Sequence, residues 1–316
     1  MRFEFGVSSR NLLWPRSSVL MRILISGSTG LIGSAFIRAA SAAKHTFIPL
    51  VRKRGLASSV YWDPESGAID STALAGIDAV VHLAGESIAA RRWSAAQKER
   101  ILGSRVKGTE LLASTLARMS PRPRVMISAS AIGYYGDCGD RRLTESSPAG
   151  SDFLAGVCRE WERATSAASA AGIRVVHLRT GIVLAKAGGA LPKMAMPFKL
   201  GVGGRIGSGK QYMSWIDLED EVQVLLHCIQ NESLEGPVNS AAPSAVTNAE
   251  FTKTLGRALS RPSLFPLPAF VARAMFGEMA DALLLSSQRV EPAKLLDSGY
   301  AFRHTNLEET LRRILS

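Results

Sequence analysis

The stretch from residue 23 to residue 43 constrains the fold most, because an apolar strand runs directly into a glycine-rich turn and then a helix. The pattern predicts a strand over 23–26 and a helix over 31–43. Glycines at this spacing permit a tight turn, close approach of the backbone to a pyrophosphate, and close packing of the helix on the strand. Free N–H groups at the start of the helix suit that anion. The sequence therefore predicts a dinucleotide site formed by Gly27, Ser28, Thr29, Gly30, Leu31, Ile32 and Gly33.

Apolar runs of strand length alternate with helical periods as far as residue 184. Further strands are predicted over 46–51, 60–62, 79–83, 124–128 and 173–178, and further helices over 94–119, with Ser94 as its N-cap, and over 153–170. Strands that alternate with helices in this way favour a parallel sheet. The predicted fold class is therefore α/β, a Rossmann doubly wound parallel sheet spanning residues 21–184.

Glycines and prolines crowd the chain beyond residue 184, where the alternation ends. Helices are predicted over 218–230, 248–259 and 307–315, and a short strand over 237–240. This pattern predicts a smaller C-terminal α+β substrate lobe over 185–316, with a separate helical segment from about residue 262. Residues 1–20 are excluded from the fold as a targeting segment or, preferably, the product of an upstream start codon, because Met21 opens directly into a strand.

The end of the second predicted strand indicates which dinucleotide is bound. NAD sites usually carry an acidic residue there to bind the ribose hydroxyls. This chain instead reads Val51-Arg52-Lys53-Arg54. A carboxylate would repel a 2′-phosphate, whereas the guanidinium of Arg52 can bind it with two parallel hydrogen bonds. We therefore expect the cofactor to be NADP(H).

Composition excludes several classes of function. The net charge of +11 favours anionic ligands, which makes an anionic small-molecule substrate one option. No basic stripe interleaved with aromatic residues is present, so nucleic acid is not an expected partner. No apolar run reaches the length of a membrane span. No helix shows an exposed apolar seam, so the oligomeric state is left open.

The cysteines and histidines are few and dispersed. The three cysteines, at positions 138, 158 and 228, fit neither a disulfide framework nor a zinc site. No two of the five histidines have the spacing of a metal-binding helix, so no metal is expected. Reduced thiols indicate a cytoplasmic protein, or an organellar one if residues 1–20 are a transit segment.

Several short segments at the predicted strand ends resemble the extended short-chain dehydrogenase/reductase superfamily. They are His82-Leu83-Ala84-Gly85, Ser128-Ala129-Ser130 and Arg179-Thr180-Gly181. Other segments resemble one atypical branch, the NAD(P)-dependent epimerase/dehydratase-like "epimerase family proteins", also called cell-division inhibitors. They are Gly85-Glu86-Ser87-Ile88, Arg92-Trp93, Gly103-Ser104-Arg105, Gly133-Tyr134-Tyr135-Gly136 and Trp215-Ile216-Asp217. The resemblance runs from Met21 to about Leu315 and includes a C-terminal domain of unknown function.

The resemblance implies further cofactor contacts. Leu83, Ala84 and Gly85 are expected beneath the adenosine and ribose, and Arg105 is expected to reach the cofactor from the long helix. Ser128 and the backbone of Val183 complete the expected set, with Val183 near the nicotinamide.

The chain departs from the superfamily where protons are transferred. Members that move hydride pair a Ser or Thr with Tyr-x-x-x-Lys on the following helix, and the tyrosine acts as general acid/base. Ser130 fills the first position, but Leu154 stands at the tyrosine and Cys158 at the lysine. The candidate catalytic residues are therefore Ser130 and Tyr134, although an aromatic wall of the pocket is the preferred interpretation of Tyr134.

Five residues are expected near the substrate. They are Glu86, Arg92, Trp93, Tyr135 and Trp215. Glu86 is either an acid/base or a hydrogen-bond partner of loop amides. Arg92 and Trp93 either clamp an anionic ring or brace the helix that starts at Ser94.

Two functions from different classes fit these expectations. The first is an NADP(H)-dependent oxidoreductase or epimerase-like enzyme acting on a small molecule. The second is a catalytically silent protein that senses NADPH and acts through a protein partner, and the missing tyrosine and lysine favour it. A role in cell division rests on the branch's older label alone.

Overall fold

A computed structural model describes residues 20–42 and 44–316. The alternatives for residues 1–20 concern positions that, except for Leu20, lie outside the described residues. The strands are β1 Arg22–Ser26, β2 Thr46–Val51, β3 Val60–Asp63, β4 Ala68–Ile69, β5 Ala79–His82, β6 Val125–Ala131, β7 Arg142–Leu143, β8 Arg174–Thr180, β9 Ile182–Leu184, β10 Tyr212–Met213, β11 Trp215–Asp217, β12 Gly236–Ser240, β13 Val246–Thr247 and β14 Arg289–Val290. The helices are α1 Leu31–Ser41, α2 Ala95–Ala117, α3 Phe153–Arg163, α4 Ser166–Ala170, α5 Leu191–Lys199, α6 Leu218–Gln230, α7 Asn248–Leu259, α8 Ala269–Phe276, α9 Ala293–Asp297 and α10 Leu307–Leu315.

One large sheet organises the molecule. Within the described residues, eight strands pair in the order β12-β8-β6-β5-β1-β2-β3-β4. All neighbours are parallel except β4, which folds back antiparallel on β3. The strand order reverses between β1 and β5, and a crevice for a ligand forms at the carboxyl ends of the strands at such a switch point. The α/β Rossmann fold predicted from the sequence is confirmed.

Helices cover both faces of the sheet, which explains the uninterrupted apolar character of its central strands. Ile23 and Ile25 of β1 pack against α1 and α6 on one face. Leu24, between them, packs against α2 on the other face. Because successive side chains of a strand point to opposite faces, a strand buried on both sides needs apolar residues at every position.

The helix predicted over 153–170 is two helices, α3 and α4, separated at Ala164 and Thr165. The hydroxyl of Thr165 donates to the carbonyl of Glu162 and lies 2.8 Å from Nε2 of His177 on β8. A side chain that bonds the preceding turn competes with the helical hydrogen bonds, which accounts for the break.

The predicted boundary at residue 184 does not separate two halves of the structure. Strand β12 returns to the large sheet and pairs with β8, and α6 packs against α1. Both elements were expected in the substrate lobe. Their apolar residues are long-range partners of β1 and β8, which local periodicity does not reveal.

The remaining C-terminal elements form a smaller lobe around a separate core. Residues of α5, α7 and α10 pack there around Trp215. β14 pairs in parallel with β7, so the lobe is tied to the loop that follows β6. In the described part of the chain, no helix has both the length and the apolar character needed to cross a membrane.

Candidate cofactor and substrate site

The glycine-rich turn leaves no space for side chains at two of its positions. Gly27 has φ +71°, and a Cβ on it would lie 2.9 Å from the carbonyl carbon of Leu83. A Cβ on Gly33 would lie 2.3 Å from the carbonyl oxygen of Gly27. The amide of Gly30 donates to that same oxygen over 3.0 Å and closes the turn. The bare backbone cradle at the start of α1 fits a pyrophosphate.

Ser26 joins this turn to the end of β5. Its hydroxyl oxygen accepts hydrogen bonds from the amides of Leu83 and Ala84, both over 3.1 Å, and lies 2.7 Å from Nδ1 of His82. Because the Ser26 oxygen accepts two hydrogen bonds, its own hydrogen remains available to donate to Nδ1 of His82. Leu83 and Ala84 are therefore held beside the turn, and their contact with the adenosine and ribose stays a prediction.

His82 is buried behind Ser26 and is neutral. Burial lowers its pKa to about 4. Its Nδ1 accepts from Ser26, so Nε2 carries the hydrogen and donates over 3.0 Å to Thr109, whose hydroxyl donates to the carbonyl of Arg105. Sequence reasoning missed this chain of hydrogen bonds from β1 to α2, because its members are far apart in the sequence.

Arg105 supports the loop that follows β5. Its Nη1 donates to the carbonyls of Glu86 and Ile101, each over 3.0 Å. A Cβ on Gly85 would lie 3.2 Å from the guanidinium carbon, which itself lies 4.8 Å from the centre of the Trp161 ring. A larger residue at position 85 would therefore crowd the guanidinium of Arg105.

Arg52 is exposed at the carboxyl end of β2, one strand away from the glycine-rich turn. It makes no hydrogen bond or ion pair with any other described residue, whereas Arg54 stacks on the Tyr61 ring at 3.8 Å. The nearby carboxylate of Asp63, on β3, is bound by the Ser66 hydroxyl; this bond chiefly, and the charge of Arg52 to a lesser extent, lower its pKa. The Arg52 guanidinium is thus free to bind an added phosphate.

Val183 and Ser128 differ in their availability to a cofactor. The carbonyl of Val183 faces the loop at Gly189, where a Cβ would lie 3.0 Å from the side chain of Leu31. That loop therefore crosses beside the glycine-rich turn. Ser128 is completely buried, so its assignment as a cofactor contact was wrong: β6 continues to Ala131, and its carboxyl end lies beyond Ser128.

The superfamily's proton relay is absent from the described residues. Leu154 and Cys158 are both buried on α3. The thiol of Cys158 points at the carbonyl of Ala131 over 3.7 Å, and burial raises its pKa to about 12. The thiol therefore stays protonated at neutral pH, and no described tyrosine or lysine side chain is hydrogen-bonded to the Ser130 hydroxyl.

The hydroxyl of Ser130 belongs to a buried ion-pair network. It donates over 2.7 Å to Glu162. Arg179 binds the same carboxylate through Nε and Nη2, each over 2.8 Å. A buried, bidentate pair of this kind is stable only when its remaining hydrogen-bonding capacity is satisfied, and Ser130 supplies part of it.

Two tyrosines follow Ser130 and differ in exposure. Tyr134 is half-buried, with the guanidinium carbon of Arg179 lying 3.4 Å from its ring centre. Tyr135 is 1% exposed; its hydroxyl donates to Asn239 over 2.7 Å and accepts from Arg179 over 3.1 Å. Burial raises the pKa of Tyr135 to about 12. The expectation that Tyr135 contacts substrate was therefore wrong.

Trp215 also lies in the core and not in the substrate pocket. It is completely buried and donates from Nε1 to the carbonyl of Ser244 over 3.0 Å. Its placement near the substrate was wrong, because its ring fills the core of the C-terminal lobe.

Trp93 lines a cavity of about 270 Å³ between the start of α3 and the C-terminal lobe. Its indole N–H donates to Ile88, and its ring packs edge to face on Phe153 at 5.1 Å. Arg92 is exposed beside Gly277, and Glu86 is half-buried at the loop that Arg105 supports. The polar lining of the cavity comprises Asp137, Asp152, Arg273, Glu278, Asp281 and Ser286.

A cluster with ligand-like spacing lies away from the crevice. Asp217, Glu219 and His304 come within 4.8 Å of one another. Arg313 contacts both carboxylates, at 2.5 and 3.1 Å. The guanidinium supplies the positive charge that these acids need.

Comparisons with known proteins agree with this geometry. Residues 23–240 match the model of the NAD dependent epimerase/dehydratase family, and residues 267–314 match a domain of unknown function (DUF1731). An epimerase family protein of Mycobacterium bovis is 48% identical over 290 residues, which cover 92% of this chain and 96% of that protein.

Two solved structures have the same fold over most of this chain. The human epimerase family protein SDR39U1, crystallised with NADPH, superposes with a TM-score of 0.84 at 35% identity and covers 93% of this chain and 99% of its own. A nucleoside-diphosphate sugar epimerase from Corynebacterium glutamicum gives 0.80 at 38% identity, covering 94% of this chain and 58% of its own. The family is NAD dependent and one relative is crystallised with NADPH, which confirms the predicted nicotinamide dinucleotide cofactor. The match over residues 23–240 and the close relatives show that the chain belongs to the NAD-dependent epimerase/dehydratase family.

Proposed function

We propose that this chain binds NADPH along the carboxyl edge of the sheet and acts on a small molecule as an NADP(H)-dependent oxidoreductase or epimerase-like enzyme. The observation that carries the proposal is the backbone cradle at Gly27 and Gly33, which a single added Cβ would fill. Leu83 and Ala84 lie directly beside it, and Arg105 braces the loop that follows. These residues would hold the dinucleotide.

The exposed guanidinium of Arg52 supports NADPH in preference to NADH. It stands where a 2′-phosphate is recognised, and its neighbouring acid is bound to Ser66. The NADPH in the human relative's crystal structure agrees with this choice. When bound, NADPH supplies a hydride.

The cavity beside Trp93 and Phe153 is proposed to hold the part of the substrate that lies away from its reacting carbon. Two aromatic rings, Ala282 and Leu285 form its apolar wall. Four of its polar lining residues are acids, and ion pairs with Arg273 and Lys98 neutralise only two of them. This lining favours a neutral or cationic small molecule over the anionic one that the net charge suggested. No partner other than this small molecule is proposed.

Binding and turnover test the proposal together. The full chain is titrated with NADPH and NADH by nicotinamide fluorescence, and then incubated with the cofactor and a panel of sugar nucleotides, aldehydes and ketones. Nicotinamide absorbance reports net reduction, and analysis of the products reports epimerisation, which leaves the cofactor unchanged overall. We expect tight NADPH binding, and turnover that Phe153→Ala reduces. A chain that does not bind NADPH would contradict the proposal as a whole.

A sensor of NADPH is the second candidate, favoured by one specific observation. The hydroxyl of Ser130 is committed to Glu162, and Leu154 and Cys158 occupy the positions of the relay. Tight NADPH binding with no turnover across the panel would establish this candidate over the enzyme.

We propose a cytoplasmic location because Cys138, Cys158 and Cys228 are all free thiols. One curated relative, from Arabidopsis thaliana, is described as chloroplastic, which keeps an organelle as the alternative. Fractionation of cells that express the full chain with a C-terminal tag distinguishes the two compartments.

A further inference from the structure

A fully buried carboxyl group lies under the carboxyl edge of the sheet and has no part in the site described above. Glu221, one turn into α6, is completely buried. One of its oxygens is hydrogen-bonded over 2.5 Å to the hydroxyl of Ser240, and the other over 3.0 Å to the hydroxyl of Thr180. No lysine, arginine or histidine is hydrogen-bonded or ion-paired with it among the described residues. A buried carboxyl that meets only hydroxyl groups is expected to be protonated.

Thr180 connects this carboxyl group to the crevice edge. It is the last residue of β8, and its register partner on β6 is Ala131, the residue after Ser130. Unlike Glu221, Thr180 is only half-buried. Its hydroxyl therefore lies between a buried acid and the edge where ligands bind in open α/β sheets.

Proton counting at Glu221 shows how this pair can act. An ionised carboxylate only accepts hydrogen bonds, so both hydroxyls then donate to it. A protonated carboxyl donates one bond, so one hydroxyl becomes an acceptor and its own hydrogen is released to donate elsewhere. Thr180 is the partner nearer the surface. Its released hydrogen has the Leu178 carbonyl as a long acceptor at 3.4 Å, and it can turn from that carbonyl to a ligand.

The surroundings of Glu221 keep its proton exchangeable near neutral pH. Burial, opposed by the two hydroxyl groups, raises its pKa to about 7. Two other titratable groups feel its charge: Cys228 on the same helix and Tyr300 from the C-terminal segment, both with a pKa raised mainly by burial. The neighbouring Asp220 is turned away and accepts from the amides of Arg303 and His304.

We propose that Thr180 and Glu221 form a proton relay at the carboxyl end of β8, in place of the missing tyrosine and lysine. Thr180 is the catalytic residue, and Glu221 is a positioning residue that supplies the proton through it. The inference rests on the proposed function, because it needs NADPH as the hydride donor.

The proton steps balance for reduction of a carbonyl group. As the carbonyl carbon gains the hydride that NADPH supplies, its oxygen takes the hydroxyl proton of Thr180. The O–H bond of Glu221 breaks, and its proton moves to the oxygen of Thr180. Glu221 is left as a carboxylate and regains a proton from solvent through Thr180 after the product leaves.

Calorimetry with the two redox states of the cofactor tests the relay without any substrate. The nicotinamide ring is cationic in NADP⁺ and neutral in NADPH, so only NADP⁺ should lower the pKa of Glu221 and release its proton. Titration at pH 7 in two buffers of different ionisation enthalpy measures that release. We expect NADP⁺ to release a larger fraction of a proton than NADPH, since a group with a pKa of about 7 is partly protonated there and any release from the 2′-phosphate is common to both cofactors.

Three variants identify the source of the proton. Glu221→Gln should abolish the difference in release while the chain still binds NADPH, and Glu219→Gln, the same change at an exposed position in the first turn of α6, should not. Ser240→Ala removes a hydrogen bond that favours the carboxylate, so it should move the release to higher pH. Equal proton release for NADP⁺ and NADPH, or a difference in release that persists in Glu221→Gln, would overturn the relay.

Turnover of any panel substrate tests Thr180 itself. Thr180→Val should reduce turnover by roughly 100-fold or more, and Thr180→Ser, which keeps a hydroxyl, should restore most of it. Equal activity of the two variants would overturn the role of Thr180. Failure to bind either cofactor would reject the proposed function, whereas binding without the difference in proton release rejects the relay alone.

Discussion

The hydroxyl of Ser130 donates its hydrogen bond to Glu162, 2.7 Å away, and not into the crevice. Glu162 in turn holds Arg179, which is 3% exposed. The serine that superfamily members direct at a substrate therefore completes an internal ion pair in this chain. Its position at the end of β6 is retained, while its hydrogen bond serves the folded structure.

Removal of Glu162 should be strongly destabilising. Glu162→Ala leaves the guanidinium of Arg179 buried without its carboxylate, at an expected cost of about 3–5 kcal/mol in the free energy of unfolding. Glu160→Ala, two residues away on the same helix, breaks only the exposed pair with Arg163 and should cost less than about 1 kcal/mol. Urea unfolding measures both, and similar losses would contradict the network.

Gly33 and Gly103 form a matched pair of helical glycines. A Cβ on Gly33 would lie 2.3 Å from a backbone oxygen, whereas on Gly103 the nearest atom is a side-chain carbon of Lys107 at 3.9 Å. Gly33→Ala should lower stability by about 1–3 kcal/mol and weaken NADPH binding. Gly103→Ala should raise stability by about 0.5–1 kcal/mol. Thermal unfolding and fluorescence titration check this contrast, which fails if Gly33→Ala binds NADPH normally.

Arg52 should determine cofactor choice. Arg52→Asp removes a charged hydrogen-bond donor and introduces a repelling carboxylate, so NADPH should bind roughly 10- to 100-fold more weakly. NADH, which lacks the 2′-phosphate, should be little affected. Lys253→Asp, the same charge change at an exposed position on α7, controls for the altered net charge. Equal weakening of the two cofactors by Arg52→Asp would show that Arg52 does not bind the phosphate.

His82 should make stability depend on acid pH. Its pKa is lowered from 6.5 to about 4, so the unfolded chain takes up a proton before the folded chain does. The contribution of His82 leaves the free energy of unfolding unchanged above pH 6.5. As the pH falls from 6.5 toward 4, the free energy of unfolding decreases by about 3 kcal/mol in total. His82→Gln should remove this loss.

The titration of Glu221 must be removed from that measurement by substitution. Its pKa is raised, so it contributes stability below pH 4.5 that is lost as the pH rises to about 7, the opposite trend. Denaturant unfolding from pH 4 to 7.5 is therefore compared between Glu221→Gln and Glu221→Gln with His82→Gln. Parallel pH profiles would show that His82 does not stay neutral in the fold.

The local patterns of this sequence predict its elements well. β2, α6, α7 and α10 begin and end where the periodicity places them, and Ser94 caps α2 by accepting from the amide of Gln97. The glycine-rich turn could be predicted equally well, because the strand, the turn and the helix are consecutive in the chain. Each of these features depends on residues within a few positions of one another.

The side chains that define the site chemically could not be predicted in the same way. Ser130 meets Glu162 across 32 positions, and Thr180 meets Glu221 across 41. Trp215 was predicted from the sequence to line the substrate pocket, but its side chain fills a core formed by α5, α7 and α10. Only the packing of distant elements decides which polar groups are buried together.

The placement of β12 has a practical consequence for anyone dividing this protein. The chain leaves the large sheet after β8, builds part of the C-terminal lobe, and comes back to supply the sheet's outermost strand beside β8. A fragment cut at residue 184 would expose β8 as an unprotected edge and would lack α6, which covers the face of the sheet that carries Ile23 and Ile25. A nucleotide-binding fragment that folds on its own would have to extend at least to Ser240. It would therefore include the part of the C-terminal lobe that lies between β8 and β12 in the sequence.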